Sequence, residues 1–139
     1  MKVIVNDNDR RVIRFERGEE LIDALSEFSR EQNIKSAFFY GFGATTGGTV
    51  ASYNIEAQKY MDEELDGEYE IINITGDITK LEGQPFVHAH GIFSYIGKPS
   101  RGGHIKRLII GATCEMFMDI LPKEITRTYD ANTGLKLMT

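Results

Sequence analysis

Runs of β-branched and aromatic residues dominate this chain and confine it to a strand-rich fold. They occupy Ser36 to Phe42, Thr49 to Asn54, Tyr69 to Leu81, Phe86 to Ile96, Ile105 to Ala112 and Cys114 to Leu121, and such residues suit a pleated, half-buried surface. Turn signals separate the runs. Glu82-Gly83-Gln84-Pro85 predicts a tight reversal, and Gly97-Lys98-Pro99-Ser100-Arg101-Gly102-Gly103 a longer loop. One segment breaks the pattern: Leu21, Ala24, Leu25 and Phe28 fall at helical spacing behind Glu19 and Glu20, where a helix dipole favours negative charge. Asn33 tolerates the left-handed conformation of a helix C-terminus and marks the expected stop. One main helix near the N-terminus against many strands predicts an α+β domain. Between Glu56 and Glu68, charges mix with Tyr60, Met61 and Leu65, and the periodicity leaves edge strand and loop both open.

With 139 residues and 41% apolar content, the chain suits one domain, 1–139, able to bury a core without staples. Sixteen Lys+Arg against 21 Asp+Glu give a net charge of −5, which repels polyphosphate at long range and argues against non-specific DNA binding through overall charge. A local basic patch stays open. The single cysteine cannot form an internal disulfide, and the N-terminal residues lack a signal-peptide core, so a cytoplasmic location is expected. No apolar run approaches the roughly 20 residues of a membrane helix, so no membrane partner is expected.

All three histidines fall within residues 88 to 104. Neutral imidazole is the commonest protein metal ligand near physiological pH, which makes a divalent-metal site the first chemical hypothesis. Side chains alternate along a strand, so His88 and His90 share one face while Val87, Ala89 and Gly91 take the other. Two rings on one side suit chelation, with His104 as third ligand and water completing an open tetrahedron. A His-x-His pair alone also serves as ordinary hydrogen-bonding side chains on a half-buried strand. Nitrogen ligands favour zinc, nickel or copper over magnesium or calcium, with zinc the default by availability. Asp77 and Glu115 are candidates to supply an oxygen or orient a ligand, against the commoner role of an ordinary strand or turn carboxylate. The obstacle is register: a hairpin centred near residue 100 sets His104 opposite Ile96, six residues of about 3.3 Å from His90. On that register, one site requires a non-hairpin path, a shift, or a neighbouring subunit.

Other motifs carry less. Gly41-Phe42-Gly43-Ala44-Thr45-Thr46-Gly47-Gly48 follows a strand but has neither dinucleotide nor phosphate-loop spacing, and a strand rather than a helix follows it. It reads as a turn with positive φ or as close backbone packing. Cys114, in an apolar run, reads as a small hydrophobe. Lys98, Arg101, Lys106 and Arg107 are the densest basic stretch, able to meet a phosphate or carboxylate, although such charge on a loop is ordinarily just solvated.

Taken in order, six motifs resemble the plant and prokaryote conserved (PPC) domain. They are Gly18-Glu19-Glu20-Leu21, Ile34 to Ala44, Thr75-Gly76-Asp77-Ile78, Pro85-Phe86-Val87-His88-Ala89-His90, Gly102-Gly103-His104, and Arg127-Thr128-Tyr129-Asp130 with Thr133-Gly134-Leu135. The resemblance implies a mainly antiparallel sheet, a homotrimer, and a metal cluster at His88, His90 and His104. In plants the domain follows AT-hooks in nuclear DNA-binding proteins, and no Arg-Gly-Arg-Pro core of that kind is present here.

Together these observations point to a homotrimeric binding and assembly module with a histidine metal site, of a family associated with DNA-binding regulators. The alternatives are a metal-dependent enzyme acting on a small polar substrate, with Glu115, Asp77 or Arg127 assisting, and direct DNA binding by basic residues aligned across subunits.

Overall fold

A computed structural model describes residues 1–139. Two strands precede the helix: β1 (Lys2–Asp7) and β2 (Arg10–Glu16) pair as an antiparallel hairpin that turns at Asn8, with φ 41°. Both lie outside the strand runs expected from sequence, although Ile13 and Phe15, two residues apart around Arg14, are fully buried. Helix α1 (Leu21–Glu31) follows. The helix is thus short and third in order. Its cap does two jobs: Glu20 Oε2 accepts from the Asp23 N–H at 2.7 Å, and Oε1 accepts from the Leu108 N–H at 2.8 Å. A single carboxylate therefore satisfies a helix-terminal donor and ties the helix to the sheet. Leu21, Leu25 and Phe28 face the core, and Asn33 takes φ 50° just past the end, as its residue type predicts.

Beyond α1 come β3 (Ser36–Asn54), β4 (Lys59–Leu81), β5 (Gln84–Ser94) and β6 (Arg101–Leu121), then a small hairpin of β7 (Arg127–Asp130) and β8 (Leu135–Met138). Every strand pairing is antiparallel. The sheet order is β1-β2-β6-β3-β4-β5, and β5 also pairs with β6, so β3, β4, β5 and β6 form a closed circuit. Inside it pack Phe39, Ile71, Ile74, Phe93, Leu108 and Ile110, all buried, while α1 lies against β5 and β6. No helix is long and apolar enough to cross a membrane.

Three expectations change. The glycine-rich segment is not a turn but the middle of the continuous strand β3, which merges the two runs on either side of it. The close-packing half of that reading holds: a Cβ at Gly41 would lie 2.6 Å from the Glu115 carbonyl oxygen, and one at Gly43 2.6 Å from Cys114 Cα. Residues 105–112 and 114–121 likewise belong to one strand, and residues 59–68 extend β4. The tight reversal at Glu82 and Gly83 forms as expected, with φ 51° and 79°.

Candidate metal centre

The two strands that carry the histidines meet in a register that puts them side by side. His90 lies opposite His104, Gly91 opposite Gly103 and Ile92 opposite Gly102. The hairpin is therefore centred on residue 97, and Arg101, Gly102 and Gly103 are strand rather than loop. The register expected from a centre near residue 100 is wrong, and for a physical reason. Backbone crowds Gly102 and Gly103: added Cβ atoms would lie 2.7 Å from the Gly91 carbonyl oxygen and 2.6 Å from the Ala51 carbonyl oxygen. These glycines allow β6 to run between β5 and β3, where a turn reading would have ended it.

His88 stands two residues from His90 on the same face of β5. The ring centroids of the three histidines lie 5.1 Å (His88–His90), 5.1 Å (His88–His104) and 5.4 Å (His90–His104) apart. One nitrogen of each lies within 4.8 Å of the others. All three belong to one chain, so no second subunit is needed to assemble them. Tetrahedral zinc at about 2.0–2.1 Å per nitrogen holds its ligands somewhat closer than this, a difference that ring rotation can take up at exposed His90.

The electrostatics favour neutral rings at His90 and His104. Burial, and next the neighbouring His88, His90 and Lys106, push His104 down to about 4. Burial and His88 lower His90 as well. His104 Nδ1 is buried with no hydrogen-bond partner, a costly state for a polar atom unless something else engages the ring. An orphaned imidazole nitrogen beside two further imidazoles fits a transition-metal ligand set.

Behind His88 stands Asp77, its cross-strand partner on β4. An Asp77 oxygen lies 3.5 Å from His88 Nδ1, and Arg127 donates to both oxygens of the same carboxylate at 2.8 and 3.0 Å. Burial works to raise Asp77, but hydrogen bonds from His88 and Arg127 and the Arg127 charge outweigh it and hold the carboxyl below its ordinary range. Arg127, nearly buried, also donates from Nε to Thr79 at 2.8 Å and from a terminal nitrogen to the Lys136 carbonyl at 2.9 Å. Through these bonds the β7–β8 hairpin is fastened beside the histidines. With Nδ1 of His88 turned to Asp77, its Nε2 is the nitrogen left for a ligand.

Of the residues named as assistants, Asp77 and Arg127 are therefore at the site, while Glu115 is opposite Phe42 and Arg14 on the β3–β6–β2 part of the sheet, away from it. A cavity of about 280 Å³ opens against His88 and His104, walled by Tyr60, Phe86, Arg127 and the β8 residues Leu135, Lys136 and Leu137. Sequence reasoning missed Tyr60, Phe86 and Lys136: Phe86 precedes His88 by two residues on the same face of β5, Tyr60 on β4 stacks 4.8 Å from the His104 ring, and only Lys136 depends on the docked hairpin. A larger cavity of about 640 Å³ lies by Arg17, Tyr69 and Tyr95 and contains no histidine. Cys114 is fully buried, its thiol pushed up to about 12 by burial and then by Glu115, which suits a core residue rather than a nucleophile. Among the basic residues, Arg101 pairs with Glu63 at 3.2 Å, Lys106 with Asp62, and Lys98 lies over the Tyr95 ring.

A family model described as the Plants and Prokaryotes Conserved (PCC) domain matches residues 5–122. The chain belongs to this family. This is the family that the motif order resembled, although the match ends before the Arg127–Leu135 segment included in that resemblance. Solved structures agree. A candidate DNA-binding protein from Bacteroides thetaiotaomicron is 24% identical with TM-score 0.92, over 97% of this chain and 94% of that one. A metal-containing protein from Archaeoglobus fulgidus is 26% identical with TM-score 0.89, over 100% and 99%. A plant- and prokaryote-conserved (PPC) protein from Pyrococcus horikoshii is 26% identical with TM-score 0.87, over 95% and 92%. No curated protein matches the chain.

Proposed function

We propose that this PCC domain is a metal-binding assembly module, with His88, His90 and His104 as ligands of a divalent transition metal and zinc the ion of choice. One observation carries the reading: imidazoles from two strands converge within 4.8 Å in a single protomer, one of them with a buried, unpartnered nitrogen. The metal-containing Archaeoglobus relative supports it. Asp77 would orient His88, and the ion's remaining position would face the cavity. In the same reading the domain works as a homotrimer, as the family resemblance implies, and resides in the cytoplasm.

DNA contact would come through partners rather than this surface. Two of the four basic residues once considered for it are neutralised by Glu63 and Asp62, and the net charge is −5. A second reading, metal-dependent chemistry on a small polar molecule, is favoured by the cavity against His88 and His104, because a closed structural site would leave no such opening.

Metal analysis of purified protein tests the ligand set. Wild type should carry about one equivalent of transition metal, and the His88→Ala/His90→Ala variant far less. Equal stoichiometry in a folded variant would remove the site.

A further inference from the structure

The cavity beside the histidines is lopsided in charge. Its walls include no carboxylate. Arg127 already has a counter-ion in Asp77, so its charge is largely answered. Lys136 is not: it is exposed on β8, makes no ion pair, and holds its ammonium 5.8 Å from the Phe86 ring centre. A metal ion held by His88 and His104 at the cavity wall would add a second positive pole. The rest of the wall is largely apolar, formed by Phe86, Tyr60 and the leucines of β8.

From this we infer that the cavity binds a small organic carboxylate, its anionic group engaged by Lys136 and the ion and its apolar part held against Phe86 and Tyr60. The inference rests on the metal reading above and adds to it the class of ligand. Three physical points select this class. Two cationic poles, with the nearby carboxylate of Asp77 engaged by Arg127 and His88 rather than lining the cavity, favour an anion, and a charge-assisted hydrogen bond to Lys is stronger than a neutral one. At about 280 Å³ the space falls just below the usual range for drug-sized ligands, which bounds the occupant to a small molecule. The apolar walls lose water favourably against hydrocarbon, which inorganic phosphate does not offer. The basic part of the wall lies outside the part of the chain that the family model matches: Arg127 and Lys136 come after residue 122, whereas Tyr60 and Phe86 lie within it. The charged part of the ligand preference thus comes from the β7–β8 hairpin, while Phe86 and Tyr60 of the sheet supply the apolar part.

Cobalt(II)-substituted protein provides the test, since its visible spectrum responds to a change in coordination. Isobutyrate should shift the spectrum saturably, whereas isobutyramide, of the same shape without charge, should leave it unchanged. Inorganic phosphate should act only at much higher concentration. Lys136→Gln should weaken isobutyrate at least tenfold, and Lys136→Arg should recover most of the loss; Lys136 is exposed, so neither variant threatens the fold. An equal response to the amide or to phosphate would overturn the assignment, as would unaltered isobutyrate affinity in Lys136→Gln. Cobalt that binds and never responds to isobutyrate overturns the ligand class alone. Failure of the protein to take up cobalt at all overturns the metal reading and this inference with it.

Discussion

The carboxylate of Asp77 stands between the guanidinium of Arg127 and the ring of His88, so a single substitution there tests two roles. Asp77→Asn keeps the shape and removes the charge. Metal affinity should fall about 10- to 100-fold with all three histidines in place, the usual cost of losing a partner behind a ligand. Stability of the metal-free protein should fall by about 2 kcal/mol as well, because Arg127 is nearly buried and would lack its counter-charge; a fully buried pair would cost more. Chelator competition measures the first effect and denaturant unfolding the second. His104 makes a separate prediction about pH. Its folded value of about 4 lies below the ordinary 6.5, so between these limits the unfolded chain binds more protons than the folded one. Stability of the metal-free protein should therefore hold above pH 6.5 and decline as pH falls from 6.5 to 4, with lowered His90 adding in the same direction. Calorimetry across that range should show the decline, and His104→Asn should flatten it. An unchanged slope in the variant would refute the assignment.

At the scale of elements, the register of the long strands β3 and β6 shifts next to glycines that let the backbones touch. A Cβ at Gly43 would overlap the Thr113 carbonyl and sit 2.6 Å from Cys114 Cα, whereas one at Gly67, with φ 95°, meets nothing within 4 Å. Gly43→Ala should cost about 3 kcal/mol or more through forced separation of β3 from β6. Gly67→Ala should cost about 1 kcal/mol, from backbone conformation alone. Denaturant midpoints of the two variants give the comparison, and equal losses would contradict it. The same glycines explain what a reader of the sequence could and could not see. Helix α1, the Glu82-Gly83 turn and the shared face of His88 and His90 were legible because each depends on local spacing or φ. The continuity of β3 and the pairing of His90 with His104 were not: Gly41 to Gly48, Gly102 and Gly103 look like punctuation locally, and only the neighbouring strand reveals that they are contacts. Lys136 was invisible for a related reason, since the Arg127–Asp77 bonds that bring it to the site span 50 residues.

Over the whole molecule, the outer face of the sheet leaves an apolar strip uncovered. Phe38, Tyr40 and Phe42 alternate outward along β3, exposed by 45%, 48% and 50%, and Phe117 stacks on Tyr40 at 5.4 Å. Cross-strand partners continue this face from Tyr40 through Thr75 to His90. Contiguous apolar surface of this kind marks an association site more often than a solvated one, and the proposed trimer gives it an occupant: the equivalent face of a neighbouring copy. The metal site would then lie at the margin of the contact, complete within each protomer but partly screened from water by assembly. Light scattering of the wild type should return about three times the 15.7 kDa chain mass, and Tyr40→Glu/Phe42→Glu should return one chain mass with an unchanged far-ultraviolet spectrum. Each chain adds a net charge of −5, so copies repel one another as they meet. Screening by salt weakens that repulsion while leaving apolar burial intact. Dilution should therefore split the trimer more readily at low ionic strength than at high. The opposite salt dependence would mean that charge pairs, and not the Phe38–Tyr40–Phe42 strip, hold the copies together.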